Sequence, residues 1–125
     1  IEETDQQLNS TIKEFLEFSG YEVRSVFDGE EAINEAYEKK YQIVILDVKL
    51  PKKNGFEVAK EIRSFSDVPI IFLTSLDSQK DIEKGFVSGA DDYLTKPFSL
   101  KELKFRIDAI IRRVYHNHKI IKIDE

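Results

Sequence analysis

The sequence predicts an α/β domain: a doubly wound parallel sheet with helices on both faces. Three observations lead there. Short apolar runs alternate with stretches whose apolar residues recur every three or four positions, the pattern of strands joined by crossover helices. Two of the runs, residues 43–46 and 69–73, are apolar throughout, as in strands covered on both sides. The chain has 125 residues, 41% hydrophobic and 34% charged, which suits one globular domain and argues against disorder or a fibrous architecture.

The elements follow in order. Leu8, Ile12, Phe15 and Leu16 recur at helical spacing in a segment that Gly20 stops. Residues 21–26 then alternate like a half-buried strand. Asp28 and Gly29 open a second helix, with Ala32, Ile33, Ala36 and Tyr37 as its buried stripe. Ile43, Val44, Ile45 and Leu46 form a buried strand ending at Asp47. Pro51 and Gly55 punctuate a loop before a third helix carrying Phe56, Ala59 and Ile62. The unit repeats twice. A second buried strand ends at Thr74, and Ile82, Phe86 and Val87 mark a fourth helix closed by Gly89. Tyr93, Leu94 and Thr95 make a short strand before Lys96 and Pro97. Leu100, Leu103, Ile107, Ile110, Ile111 and Val114 form the stripe of a long last helix.

In sheets of this kind ligands sit at the carboxyl ends of the strands. The residues just past the three apolar runs are Asp47, Thr74 and Lys96: an acid, a hydroxyl and a cation. Singly each has an ordinary reading. An aspartate there begins a turn, a threonine caps a helix, and a lysine before proline lies on the surface. Together at one sheet edge they suit phosphoryl chemistry. A carboxylate can attack phosphorus, and lysine and hydroxyl can neutralise and bind phosphoryl oxygens. A hard divalent cation held by further carboxylates would complete such a site.

These segments carry a resemblance. IVILDVKLP at 43–51 with Gly55, PIIFLTS at 69–75 and GADDYLTKPF at 89–98 resemble the receiver domains of two-component response regulators, over nearly the whole chain. The resemblance implies a five-stranded sheet in flavodoxin-like order 2-1-3-4-5. It implies that Asp47 accepts phosphate from a sensor histidine kinase with Mg²⁺ assisting, and that Lys96 binds the phosphoryl group through a cis Lys96–Pro97 bond. Thr74 would swing toward the phosphate, Tyr93 would rotate inward behind it, and the Lys49 backbone carbonyl would join Asp47 on the metal. The alternative for Tyr93 is a plain aromatic on an edge strand. The Lys49 side chain would point to solvent.

The segment 89–113 most resembles receivers of the OmpR-like, winged-helix transcription regulators. Residues 1–115 are then the receiver domain, and 116–125 a linker or the start of a truncated DNA-binding effector domain. The resemblance further implies a homodimer through the fourth helix, fifth strand and fifth helix, with Asp92, Glu102, Arg106 and Arg112 as candidates for cross-subunit ion pairs. Each is otherwise an exposed charge of small energetic weight. His116 and His118 read as solvated linker residues rather than metal ligands.

The opening of the chain departs from that pattern. Receivers begin with an apolar strand followed by two acids, positions that fall here on Glu3 and Thr4. Glu3 reads equally as a metal ligand and as a solvated helix start. Thr4 cannot supply a carboxylate's charge, although Asp5 or Glu2 could enter the site by a shift in register. Only Ile1 stands before the acids, so the first strand is largely absent, and further apolar residues upstream are expected. A second reading lets Ile120 to Ile123 of the tail enter that slot, with Asp124 and Glu125 at its end.

Composition excludes several classes. With no cysteine there is no disulfide scaffold or thiolate chemistry, and a net charge of −5 argues against this segment gripping nucleic acid by itself. DNA contact would come only through an effector domain. No apolar run is long enough for a membrane span and no signal peptide is visible, which predicts a soluble, cytoplasmic location without membrane contact. The expected function is a phosphorylation-controlled switch, not an enzyme with an external substrate. An alternative is an atypical receiver whose Mg²⁺ and phosphate chemistry Thr4 has weakened, acting as a constitutive dimerisation module. A dehalogenase-type phosphatase would need an acid where Lys49 stands, and a flavodoxin a hydroxyl-rich first loop; neither is present.

Overall fold

The computed structural model describes Ile1 and residues 6–49 and 53–116. The expectations placed on Glu3, Thr4 and the tail from 117 onward lie outside these residues. Among the described residues five α-helices and three parallel strands are defined, in the order α1 (Gln6–Phe18), α2 (Gly29–Glu38), β1 (Val44–Leu46), α3 (Gly55–Arg63), β2 (Ile70–Thr74), α4 (Gln79–Val87), β3 (Asp92–Thr95) and α5 (Leu100–Ile111). A π-helical turn, Arg112–His116, continues α5. Among the described residues no helix is long and apolar enough to cross a membrane.

The sheet order is β1-β2-β3. Val44 pairs with Ile70 and Leu46 with Phe72, while Ile71 pairs with Asp92 and Thr74 with Thr95. Strand side chains alternate between the two faces, and the core divides accordingly. Ile45, Ile71, Leu73 and Leu94 pack with Ile12 and Leu16 of α1 and with Leu103, Ile107 and Ile110 of α5. Leu46, Ile70, Phe72 and Tyr93 pack with Ala32 of α2 and with Phe56, Val58, Ala59 and Ile62 of α3. This two-sided covering is why residues 70–74 are buried at every position.

Helix starts follow local capping chemistry. The side chains of Asp28, Asn54, Ser78 and Ser99 each accept the N–H of the residue three further on, which satisfies a backbone donor left free in the first turn. At the opposite end of the sheet Arg63 clamps two loops. Its guanidinium donates to the carbonyls of Ser66, Val68 and Gly89 and pairs with Asp91, whose carboxylate also accepts Ile70 N–H.

Three sequence expectations are corrected. Residues 21–26 are not a strand with a ladder. Val26 forms a single bridge, its N–H donating to Ile1 O at 2.9 Å, and Ile1 N donates to Arg24 O. A strand is defined by its neighbour, and in the 2-1-3-4-5 order that neighbour is the first strand, of which Ile1 alone lies among the described residues. A groove of about 620 Å³ lined by Ile1, Tyr21, Val23, Ile43, Ile45 and Ile107 separates this segment from β1, so of the five expected strands three form the sheet among the described residues. Tyr37 is not in the core stripe of α2: it is 72% exposed, its ring edge-on to Phe65. Nor do Phe86 and Val87 face the core. They are 47% and 82% exposed, and the buried residue of α4 is Gly85.

Candidate functional site

The three residues singled out at the strand ends meet at one rim. Asp47 follows β1, Thr74 closes β2 and Lys96 follows β3, so parallel strands bring all three to the same edge of the sheet. The ladder fixes their relation. Thr74 lies opposite Thr95, and Lys96 N–H donates to Thr74 O at 2.8 Å. From there the lysine side chain reaches across β2, and its Nζ lies 3.1 Å from Asp47 Oδ2. The two side chains are 23% and 8% exposed, so the pair is drawn well out of water.

The other carboxylate oxygen is held by the main chain: Lys49 N–H donates to Asp47 Oδ1 at 3.1 Å. Lys49 itself is exposed, in keeping with a side chain in solvent. Behind the carboxylate, α3 begins unusually close to the end of β1. Gly55 N–H donates to Val48 O at 2.8 Å, and a Cβ on Gly55 would lie 2.2 Å from Asp47 O. Only glycine admits that approach, so Gly55 fixes the backbone that presents Asp47.

Thr74 is fully buried, and its Oγ1 accepts the Leu76 N–H at 3.4 Å. Tyr93 grips the same residue from the other side, its hydroxyl donating to Leu76 O at 2.7 Å. Its ring is 8% exposed and lies 5.9 Å from that of Phe72, which in turn stands edge-on to Phe56 at 5.4 Å. Tyr93 is thus a buried aromatic on the edge strand β3, its hydroxyl held by the main chain. Burial pushes its phenol up to about 12, and the nearby carboxylates of Asp81, Asp47 and Asp77 act in the same direction. The Lys96–Pro97 peptide is cis.

Arg106, Asp92 and Glu102 form a cluster within one chain. Arg106 donates to both oxygens of Asp92 at 3.0 and 2.9 Å and reaches Glu102 at 3.4 Å. Arg112 is exposed at the end of α5. Sequence reasoning missed Leu76, whose main chain links Thr74 to Tyr93 and which no side-chain pattern reveals. It also missed Gly85, although a glycine inside a helix stripe was a signal for it.

The rim can do a limited set of things. A carboxylate steered by an ammonium and a backbone N–H can act as a nucleophile, and the same ammonium can neutralise an incoming anion. Asp47 Oδ1, Oδ2 and the Lys49 carbonyl are hard oxygen donors of the kind Mg²⁺ takes, so the donor set fits that ion. Among the described residues no group of three or more acids, histidines or cysteines gathers. Glu3, the further expected ligand, lies outside them.

Comparison with known proteins agrees with the geometry. The family model for the response regulator receiver domain matches residues 1–108. The transcriptional regulatory protein RprY of Bacteroides fragilis is 46% identical over 113 residues, 90% of this chain and 48% of that protein. Among solved structures, the receiver domain of Francisella response regulator 1452 superposes with a TM-score of 0.86 at 34% identity, over 90% of this chain and 93% of that one. The response regulator TrrA of Thermotoga maritima, in complex with Mg²⁺–BeF, gives 0.79 at 33% identity, covering 87% and 94%. The chain spans about half the length of the curated relatives it matches. A parallel sheet with an acid, a hydroxyl and a lysine at one rim, together with these matches, makes the chain a member of the response regulator receiver domains of two-component systems.

Proposed function

We propose that this domain is a phosphorylation-controlled switch in which Asp47 accepts a phosphoryl group from a sensor histidine kinase. The observation that carries the reading is the 3.1 Å approach of Lys96 Nζ to a carboxylate that is itself only 8% exposed. An Asp47 oxygen attacks phosphorus, a P–O bond forms, and the bond from phosphorus to the donor breaks. Lys96 binds a phosphoryl oxygen and offsets the added charge of about −1.5 to −2. Asp47 and the Lys49 carbonyl would hold Mg²⁺, with Glu3 as a further ligand. When bound, that ion supplies charge neutralisation for the transferring group.

The readout runs through Thr74. Once its hydroxyl turns to the phosphoryl group, Leu76 N–H loses its partner and the seat of Tyr93 changes. The surface made by α4, β3 and α5 would respond by forming a homodimer in which Asp92, Glu102 and Arg106 exchange intrachain for intersubunit pairs and Arg112 joins them. Residues 1–115 form the receiver, and 116–125 lead toward a DNA-binding effector domain through which the full-length protein would regulate transcription in the cytoplasm. The domain assists its own phosphorylation and dephosphorylation and turns over no external substrate.

Incubation with acetyl phosphate and Mg²⁺ tests this, with intact mass as the readout. The wild-type chain is expected to gain one phosphoryl group, and Asp47→Asn none. Equal labelling of both would refute the assignment of Asp47. No labelling of either would favour the weakened receiver acting as a constitutive dimer.

A further inference from the structure

Helix α4 buries one residue among its nine, and that residue is a glycine. Gly85 has ordinary helical backbone geometry, so its conformation does not require glycine. In the interior of a helix glycine is less favourable than alanine, by a factor of roughly two to five in the folded-to-unfolded ratio. What the missing side chain provides is space. A Cβ on Gly85 would lie 2.6 and 2.8 Å from Cδ2 and Cε2 of Tyr93, and 3.3 Å from Phe72.

The ring that needs this space is tied to the rim. Tyr93 donates to Leu76 O while Leu76 N–H donates to Thr74 Oγ1, so one residue joins the phenol to the hydroxyl that closes β2 at the rim. The ring therefore has two supports: the main chain of Leu76, which the state of Thr74 can move, and the bare backbone of Gly85. We propose that Gly85 is a positioning residue for the switch: its lack of a side chain forms the seat that keeps Tyr93 inward and engaged with Leu76. With any larger residue at 85 the ring is expelled, the Leu76 carbonyl loses its donor, and the state of the rim no longer reaches α4. Only the coupling part of this inference rests on the reading of Asp47 as phosphoacceptor.

The experiment uses the full chain and compares Gly85→Ala in two backgrounds, wild type and Tyr93→Ala. Urea unfolding gives the folded-to-unfolded ratio, and acetylation of tyrosine by N-acetylimidazole, located by mass spectrometry, gives the exposure of Tyr93. Gly85→Ala should lower the ratio and make Tyr93 reactive in the wild-type background. In the Tyr93→Ala background it should raise the ratio by roughly two- to five-fold, the helix preference emerging once the ring is gone. If Gly85→Ala fails to fold alone but folds with Tyr93→Ala, the seat is supported. Failure in both backgrounds, or a raised ratio in both with Tyr93 still protected, overturns it. Adding Mg²⁺ and beryllofluoride then separates the two readings. A change in Tyr93 reactivity in wild type that is absent in Gly85→Ala supports the coupling. No change in wild type counts against the phosphoacceptor reading and leaves the seat to be judged by the first arm.

Discussion

The two faces of the sheet are built from different materials. On one, α1 and α5 close over Ile12, Leu16, Ile45, Ile71, Leu73, Leu94, Leu103, Ile107 and Ile110, every one aliphatic. On the other, α3 buries Phe56, Val58, Ala59 and Ile62, and the rings of Phe56, Phe72 and Tyr93 run in contact toward α4, which contributes the buried Gly85 and the partly buried Ile82. Branched aliphatic side chains interdigitate in one low-energy arrangement and resist change. A helix anchored through a glycine and a phenol has few buried apolar contacts to lose when it moves, which places it among the segments of low local stability. The first face holds the fold, and on the function proposed above the second carries the signal. Thr74 and Leu76 lie between Asp47 and that second face, which gives the rim a physical route to it.

The contrast can be broken most forcefully from the aliphatic side. Ile107→Ala should cost about 2–5 kcal/mol in urea unfolding, as buried aliphatic truncations do, while leaving the reactivity of Tyr93 unaltered in the protein that remains folded. A cost below about 1 kcal/mol would show that this face is not the clamp.

Alkaline titration gives an intermediate effect. The phenols of Tyr93, Tyr21 and Tyr41 are each pushed up to about 12, with burial the largest cause in all three. For Tyr21 the hydrogen-bonded Asp108 adds to it, and for Tyr41 the hydrogen-bonded Glu35. A raised folded-state value means that the contribution is fully present below the ordinary phenol range near 10 and is lost as pH climbs through 12. Stability should therefore fall between pH 10 and 12, and Tyr93→Phe should remove part of that fall while Tyr21→Phe removes a separate part. An unchanged profile in Tyr93→Phe would mean that its ring is not held as described.

The smallest effect is expected at the outer side of α4. Val87 is 82% exposed, so Val87→Ser should change stability by no more than about 0.5 kcal/mol. A cost comparable to that at Ile107 would erase the distinction between the faces.

Much of this was legible in the sequence, for reasons that differ by residue. Residues 43–46 and 70–73 announce themselves because burial on both faces leaves no polar position, and Asp47, Thr74 and Lys96 follow because parallel strands must end together. Residues 21–26 read as a strand because alternation describes one segment, whereas a ladder needs two. Phe86 and Val87 mislead because a periodic stripe weights large apolar residues, and on α4 the core-facing position holds the smallest side chain. The tie from Thr74 through Leu76 to Tyr93 uses main-chain atoms and was invisible to residue type. The clustering of Asp92, Glu102 and Arg106 within one chain depends on the turn between β3 and α5, which spacing alone does not orient.

The central claim, that chemistry at Asp47 is felt on one face of the sheet and not on the other, is tested most directly by backbone amide NMR of the chain before and after addition of Mg²⁺ and beryllofluoride. Shift changes are expected to concentrate at Thr74, Leu76, Gly85 and Tyr93, with Ile12 and Leu16 of α1 nearly still. Changes of equal size around Ile12 and Leu16, or none between Thr74 and Tyr93, would contradict it.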